Sequence, residues 1–377
     1  MKRVMIIAGE ASGDLHAAKL VKAVHLNNPD IEFFGIGGED MRKAGVKTLV
    51  DSADLAVVGL FEVLAHRKII FGALEQMREL LRTFPPDLLL LTDYPEFNLR
   101  LAKTAKELGI KVLYYISPQV WAWRQKRVHT IRERVDMMAV VFPFEEEFYR
   151  QHNVPVRFVG HPLVDEVISS QSITILRNEF SLSSKQPVVG LFPGSRRSEI
   201  KRLLPIILKT ASRLQQQRPD IQFVMPLAST IPEDLIKPAL EHSGLDIRLI
   251  KHRSHDVIEA CDIILTVSGT VTLEIALLEK PMVIINKVNW LTYLIVSRML
   301  KIDYIGLCNI VAGKQIVPEF SQYRARPSLL VKEIIHILDN AEYRNSMVRE
   351  LALVREKLGG TDGIRNIARL TVEMLET

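Results

Sequence analysis

The chain has 377 residues, more than one hydrophobic core usually serves, so two domains are expected. Its 47% hydrophobic and 25% charged residues describe an ordinary globular protein, neither disordered nor fibrous. A net charge of +5 is too mild to argue for nucleic acid, yet it suits anionic substrates or an anionic membrane surface.

Lys2-Arg3 before the apolar residues 4–8 has the look of a signal peptide, but the run is too short and Glu10 and Asp14 follow at once. No uninterrupted apolar run of about 18 residues occurs, so no spanning helix is expected. Residues 4–8 read instead as a buried strand running into Gly9-Glu10-Ala11-Ser12-Gly13-Asp14. This is not the dinucleotide pattern Gly-x-Gly-x-x-Gly; it is a loop for close ligand approach at a strand's C-terminal end, or a simple tight turn. The first helix is expected from near Asp14 to Asn28-Pro29, with Leu15, Ala18 and Val21 on one face. Residues 31–36 form a strand closed by Gly37-Gly38. Residues 57–71 are unusually apolar, with Val58, Leu60, Phe61, Leu64, Ile69, Ile70 and Phe71 around the basic pair Arg67 and Lys68. They read as a core helix plus a loop, or as an interfacial patch whose basic residues meet lipid headgroups.

Residues 88–92 are a continuous apolar strand, 99–108 a helix stopped by Gly109, and 111–116 a further strand. Continuous rather than alternating apolar strands, separated by helices, indicate a parallel sheet covered on both faces. Asp93 follows strand 88–92 directly. A carboxylate there suits general-base work, and capping of the next helix is the competing role. The run from Ser117 through Trp121, Trp123, Arg124 and Lys126 to Arg127 holds two of the three tryptophans beside a basic cluster that continues to Arg132 and Arg134. Base stacking, an anionic or amphiphilic ligand, and a solvated basic helix packed by its tryptophans all fit. Strand 156–159 leads into Gly160-His161-Pro162, where His161 is either structural or turned toward a ligand. The polar stretch 169–186 marks the domain boundary.

The second half restarts with Val188-Val189-Gly190-Leu191-Phe192-Pro193-Gly194-Ser195-Arg196, another strand, glycine turn and helix entry. Strands are expected at 188–192, 222–226, 247–250 and 263–267. Pro205 either kinks the helix after Arg197 or begins a new one. Ser268-Gly269-Thr270 opens a helix over 271–278, with Ser268 or Thr270 as its N-cap. Glu274 shares a face with Thr270 and either favours the helix dipole or accepts from ribose hydroxyls. Two glycine-bearing helix starts, one carrying Arg196, make a diphosphate cradle. There is no P-loop and no Asp-x-Asp, so neither a metal nor another cofactor is expected. The two cysteines, Cys261 and Cys308, build no framework and point to a reducing cytosol. Residues 290–300 read as an apolar helix with Arg298 and Lys301 on its flank. Asn309, among apolar neighbours, marks a turn or a ligand hydrogen bond. From Pro327 the chain is helical, broken at Gly359-Gly360 before a last helix over 364–375.

Taken together these motifs resemble the lipid-A-disaccharide synthases of Gram-negative bacteria. The resemblance runs essentially end to end: residues 8–14, the Ser-Pro-x-Val-Trp-Ala-Trp-Arg run, residues 191–196, Ser268-Gly269-Thr270 with Glu274, and residues 309–313. The tryptophan run is highly specific; the 193–196 loop alone is weak, and Cys308 stands where proline is expected. The resemblance implies an α/β GT-B fold, two Rossmann-like doubly wound domains facing across a cleft. These are residues 1–168 on the acceptor and membrane side and 169–360 on the UDP-sugar side, with the final helix, about 361–377, packing back on the first. It also implies an inverting transfer from UDP-2,3-diacylglucosamine to 2,3-diacylglucosamine 1-phosphate, giving a β-1,6 disaccharide 1-phosphate and UDP. On this reading Asp93 is the catalytic base. Gly194, Ser195, Arg196, Ser268, Gly269, Thr270, Glu274 and Asn309 hold the donor, and Glu10, Ser12, Gly13, Trp123, Arg124 and His161 line the acceptor side. The expected partners are the two acylated sugars and the cytoplasmic face of the inner membrane, not nucleic acid; a homodimer is compatible with the sequence but not specified by it. Another GT-B transferase using UDP-N-acetylglucosamine, or a UDP-sugar 2-epimerase, shares the architecture. A binding module without turnover is the non-enzyme alternative.

Overall fold

Apolar runs bounded by turn residues become parallel strands in both halves of the chain, and helices return each strand to the next. A computed structural model describes residues 1–55, 60–123, 125–288 and 303–377, with only the backbone for helical residues 11 and 60–67. The chain divides into two compact units, Met1–Pro162 with Leu358–Thr377, and Leu163–Lys357.

In the first unit the order is β1 (Arg3–Ala8), α1 (Ala11–His25), β2 (Glu32–Gly37), α2 (Glu39–Lys43), β3 (Lys47–Asp51), α3 (Ser52–Leu55), α4 (Leu60–Thr83), β4 (Leu88–Thr92), α5 (Pro95–Glu107), β5 (Lys111–Tyr115), α6 (Arg127–Arg134), β6 (Met137–Val140), α7 (Pro143–Gln151) and β7 (Val156–Phe158). These seven strands pair in parallel in the order β3-β2-β1-β4-β5-β6-β7. The central β4, Leu-Leu-Leu-Leu-Thr, is buried throughout, and each buried leucine contributes about 1.5–3 kcal/mol. The second unit runs α8 (Leu163–Glu166), α9 (Ile173–Glu179), β8 (Val188–Phe192), α10 (Arg197–Gln217), β9 (Gln222–Leu227), α11 (Lys237–Ser243), β10 (Ile247–Lys251), α12 (Ser254–Ala260), β11 (Ile263–Val267), α13 (Val271–Leu277), β12 (Met282–Asn286), α14 (Leu307–Ala312), β13 (Glu319–Ser321), α15 (Pro327–Asp339) and α16 (Ala341–Lys357). Its six strands are also parallel, in the order β10-β9-β8-β11-β12-β13.

The last helix, α17 (Gly363–Glu376), belongs to the first unit and packs on α1. Arg157 pairs with Glu373 at 2.5 Å, Lys111 Nζ donates to Thr377 Oγ1 at 3.0 Å, and Asn366 Nδ2 donates to the Val159 carbonyl at 3.1 Å. At the crossing Gly160 takes φ +94°, and a Cβ on Gly363 would lie 3.2 Å from the Gly160 carbonyl oxygen, so the approach needs glycine on both sides.

Several expectations are corrected. The first helix begins at Ala11, not near Asp14. Asp14 is buried and accepts from the amides of Gly38, Asp40 and Met41 at 2.6, 3.0 and 3.3 Å, so it caps α2 instead of its own helix. Leu15 faces solvent, while Ala18 and Val21 are buried as expected. Pro205 neither stops nor restarts α10. The buried stripe Leu203, Leu204, Ile207, Leu208 and Ala211 continues across it, and that burial outweighs the roughly 3 kcal/mol a mid-helix proline costs. The polar stretch 169–186 contains α9, pinned by Arg177, which donates to the Ala260 carbonyl at 2.9 Å and pairs with Asp262 at 2.8 Å. Strands β3, β6, β12 and β13 were not expected.

Of the apolar stretch 57–71, α4 covers 60–71 and continues to Thr83, with Ala73, Leu74, Met77 and Leu81 buried. Ile69 and Phe71 are 47% and 45% exposed beside the exposed Lys68, and Ile70 is half-buried. Val58 and the side chains of Leu60, Phe61, Leu64 and Arg67 lie outside the described residues, as do Arg124 and the helix expected over 290–300 with Arg298 and Lys301. No described helix is long and apolar enough to cross a membrane.

Candidate active site

In a doubly wound sheet, ligands bind beyond the strand C-termini where the strand order reverses. In the first unit that point lies between β1 and β4, where Ala8 pairs with Thr92, so Gly9-Glu10 and Asp93 leave the sheet side by side. In the second unit it lies between β8 and β11, where Phe192 pairs with Thr266, so Gly194–Arg196 and Ser268–Thr270 leave together. Topology thus brings Gly9-Glu10 and Asp93 to one switch point and Gly194–Arg196 with Ser268–Thr270 to the other, one in each unit.

Asp93 is not the N-cap of α5. Tyr94 holds that position, with Pro95 opening the helix, and both Asp93 and Tyr94 take left-handed φ values of +51° and +46°. That conformation costs a non-glycine residue about 1–2 kcal/mol. The Asp93 carbonyl oxygen accepts from Asn98 Nδ2 at 2.5 Å and from the Tyr114 hydroxyl at 2.6 Å. Its carboxylate is partly buried and accepts no hydrogen bond among the described residues. Burial, and then the negative charge of Glu10, push its pKa up to about 6. A group so placed is still mostly ionised at pH 7, yet basic enough to take a hydroxyl proton.

The space in front of it is kept by small residues. A Cβ on Gly13 would meet Asp93 Oδ2 at 3.7 Å, and one on Gly9 would strike the Tyr94 ring at 2.6 Å. Glu10 and Ser12 are exposed at the start of α1. His161 is buried, 5.0 Å from the Phe142 ring, and burial followed by the charge of His16 lowers its pKa to about 3. Its imidazole is therefore neutral at ordinary pH and offers no charge to an anion.

The tryptophans sit in the turn before α6, not on a basic helix. Trp121 is an anchor: its ring meets Phe144 edge-on at 4.8 Å and its Nε1 donates to Glu145 Oε1 at 3.0 Å. Glu145 also accepts from the Phe142 amide at 3.2 Å, and burial pushes its pKa up to about 8. Ser117 Oγ and the Tyr149 hydroxyl share a hydrogen bond of 2.7 Å beside it. Trp123 is 43% exposed, and Arg127 pairs with Glu96 on α5, tying this segment to the helix behind Asp93.

In the second unit Gly194 takes φ +102°, and a Cβ there would strike Glu199 Oε2 at 2.5 Å. The amides of Ser195 and Arg196 both donate to that oxygen at 3.3 Å, so the turn receives an anionic oxygen, here from the chain's own carboxylate. The Arg196 side chain is 80% exposed, 3.3 Å from Glu199 Oε1. Thr270 stands at the N-cap of α13, but no side chain caps this helix; Gly269 opens onto free space with φ +155°. Glu274 lies 3.4 Å from His255 Nε2, and this partner raises the His255 pKa.

Asn309 is a correction. It lies in α14, fully buried, with every hydrogen-bonding position taken: Nδ2 donates to the Val317 carbonyl at 2.9 Å and Glu319 Oε1 at 2.7 Å, and Oδ1 accepts from the amides of Ile316 and Val317 at 2.8 and 3.0 Å. It locks a loop and has nothing left for a ligand. Glu319 completes the lock by accepting from the amides of Ile305 and Gly306 at 2.9 and 2.8 Å. Asn98, Tyr114, Glu145 and Glu199 were missed from the sequence; Asn98 alone carried a signal, as a polar residue between Phe97 and Leu99 on the buried face of α5. Among the described residues no three His, Cys, Asp or Glu side chains stand together as a metal site.

Two parallel, doubly wound α/β units of this kind define a GT-B-like protein. A solved structure from Neisseria meningitidis, described as a UDP-GlcNAc 2-epimerase bound to UDP-GlcNAc, aligns with TM-score 0.68 over 99% of this chain and 100% of its own, at 14% identity. At that identity the likeness shows the fold alone. The chain belongs to the lipid-A-disaccharide synthetase family, whose model matches residues 4–362. The lipid-A-disaccharide synthase of Trichlorobacter lovleyi is 53% identical over 375 residues, covering 100% of this chain and 98% of that protein. That of Geobacter sulfurreducens is 52% identical over 373 residues, covering 99% and 97%.

Proposed function

We propose that the chain transfers 2,3-diacylglucosamine from its UDP donor to the 6-hydroxyl of 2,3-diacylglucosamine 1-phosphate, forming the β-1,6 disaccharide 1-phosphate and UDP. Family membership supports the reaction class. The observation that carries the mechanism is Asp93, a carboxylate at a switch point with raised basicity and no hydrogen-bond donor of its own among the described residues. Asp93 takes the proton from the acceptor hydroxyl as it attacks the anomeric carbon, and the departing diphosphate leaves from the opposite side with inversion. The diphosphate is received by the turns Gly194, Ser195, Arg196 and Ser268, Gly269, Thr270, with Arg196 as the positive charge. Glu274 accepts from the ribose hydroxyls. Glu10, Ser12, Gly13 and Trp123 line the acceptor side, and His161 supports that side as a neutral packing group.

Both substrates carry fatty chains. Exposed Ile69 and Phe71 beside Lys68 support seating on the cytoplasmic face of the inner membrane, apolar groups entering the lipid and the ammonium meeting phosphate headgroups. The deciding experiment supplies the two acylated sugars and looks for UDP and disaccharide 1-phosphate in equal amounts. Conversion of UDP-N-acetylglucosamine without an acceptor, or binding without turnover, overturns the reading.

A further inference from the structure

The aim of Asp93 comes from groups that do not touch its carboxylate. Asp93 and Tyr94 are consecutive non-glycine residues in the left-handed region, a conformation that persists only where its surroundings enforce it. Two fully buried side chains from different elements converge on the Asp93 carbonyl oxygen, Asn98 Nδ2 from α5 at 2.5 Å and the Tyr114 hydroxyl from β5 at 2.6 Å. Asn98 Nδ2 also reaches the Thr92 carbonyl at 3.1 Å. Two carbonyl oxygens at one end of the amide settle its orientation, because the reverse would set oxygen against oxygen. The cost is that Asn98 Oδ1 is buried without a hydrogen-bond partner among the described residues. An apolar residue would avoid that cost, so packing alone does not select asparagine here.

We propose that Asn98 and Tyr114 are positioning residues that grip the main chain of Asp93, so that its carboxylate is aimed while both of its oxygens stay open to the acceptor hydroxyl. This rests on the reading of Asp93 as the base. An N–H or O–H donor placed on the carboxylate would aim it equally well, but would stabilise the anion and weaken the base. Gripping the carbonyl avoids that loss. The titratable groups around the carboxylate are Glu10 at the start of α1, Tyr94 on its own turn and Tyr114 on β5, with Arg127 of α6 acting on Tyr114. Tyr114 directs its proton to the carbonyl, leaving the carboxylate without a donor among the described residues.

The test introduces Tyr114→Phe and Asn98→Ser separately into the full chain and into its Asp93→Asn variant, with the two acylated sugars as substrates and residual turnover read at high enzyme concentration. Each substitution should lower kcat by about 10- to 100-fold, the scale on which small misplacements act. Both KM values should stay within about twofold, and the acidic limb of the pH–rate profile should not move. In the Asp93→Asn background the further loss should be under about twofold, because there is no base left to misplace. The same fold-loss in both backgrounds, or a rise in KM with kcat unchanged, overturns the proposal. Thermal unfolding checks each variant; if Tyr114→Phe does not fold, Asn98→Ser decides, and failure of both to fold makes the pair structural and also overturns it. Normal kcat in both variants beside an inactive Asp93→Asn defeats the positioning role alone. Near-normal turnover by Asp93→Asn defeats the assignment of the base.

Discussion

Asp93→Asn should make the protein more stable and less active at once. Burial and the charge of Glu10 move the carboxyl from an ordinary 3.8 to about 6. A raised folded-state pKa means that the native chain keeps its proton where the unfolded chain has released it. The resulting stabilisation is complete below about 3.8 and is lost as pH rises through about 6. At about 1.36 kcal/mol per tenfold change in affinity, that displacement caps the loss near 3 kcal/mol. Partial exposure and solvent screening bring it to about 1–2 kcal/mol. Asparagine has the same shape and no charge to desolvate, and the grip on the main-chain carbonyl is untouched. The variant should therefore melt about 2–8 °C higher than the wild type at pH 8, by the usual conversion for a unit of this size. Most of that gain should vanish at pH 4, where the wild-type carboxyl is protonated in the folded state. Turnover at pH 8 should fall by at least about a hundredfold. Thermal unfolding followed by circular dichroism at the two pH values, with product formation at pH 8, checks all three. A melting temperature unchanged or lowered at pH 8, an equal gain at both pH values, or turnover within tenfold of wild type would refute the reasoning.

Four further outcomes follow from the same geometry. Glu145→Gln should cost about 1–3 kcal/mol at pH 6, because one amide oxygen cannot serve both Trp121 and the Phe142 amide. Since burial raises the Glu145 pKa to about 8, wild-type stability declines as pH rises through that value, and the gap measured by urea unfolding should narrow by pH 9. Asn309→Leu leaves the Ile316 and Val317 amides and the Val317 carbonyl without their partner, and should cost about 3 kcal/mol or more by the same unfolding assay; undiminished stability would restore a ligand-facing role. Gly13→Ala meets only ordinary contacts and should leave stability level or raise it by about 0.5–1 kcal/mol as a helix position, yet lower turnover by crowding Asp93 Oδ2. Arg196→Ala, at an exposed side chain, should leave the melting temperature alone and weaken UDP binding by calorimetry about tenfold, the scale of one charge-assisted hydrogen bond.

The strands that carry the two switch points were among the legible ones. β1, β4, β8 and β11 are buried on both faces almost throughout, and a strand hidden on both faces reads as a near-continuous apolar run. At the edge the pressure relaxes: β3, Lys47-Thr-Leu-Val-Asp, is half exposed, and β13 has three residues, too short for any period. β6 is short as well, and its entry is set from a distance, by Asp136 accepting from the Val112 amide at 2.8 Å. Pro205 does not begin a new helix for a related reason, because local propensity is a weak term beside a buried stripe that runs the length of α10.

The site divides along a different line. Asp93 and Asn309 look alike in sequence, each a polar residue beside apolar neighbours, and each polar group in such a place needs partners if it is buried. What differs is where the partners come from. Asn309 finds all four on its own chain, at Ile316, Val317 and Glu319, and the loop that supplies them has no pattern of its own. Asp93 has its carbonyl saturated by Asn98 and Tyr114, while its carboxylate has no donor among the described residues. A main-chain carbonyl leaves no mark on sequence, so the two residues that serve it could not be foreseen as a pair. The quantity that separates a structural polar residue from one facing a substrate is its unused hydrogen-bonding capacity in the folded chain. By that measure the Asp93 carboxylate is open and Asn309 is closed, whatever their neighbours in sequence suggest.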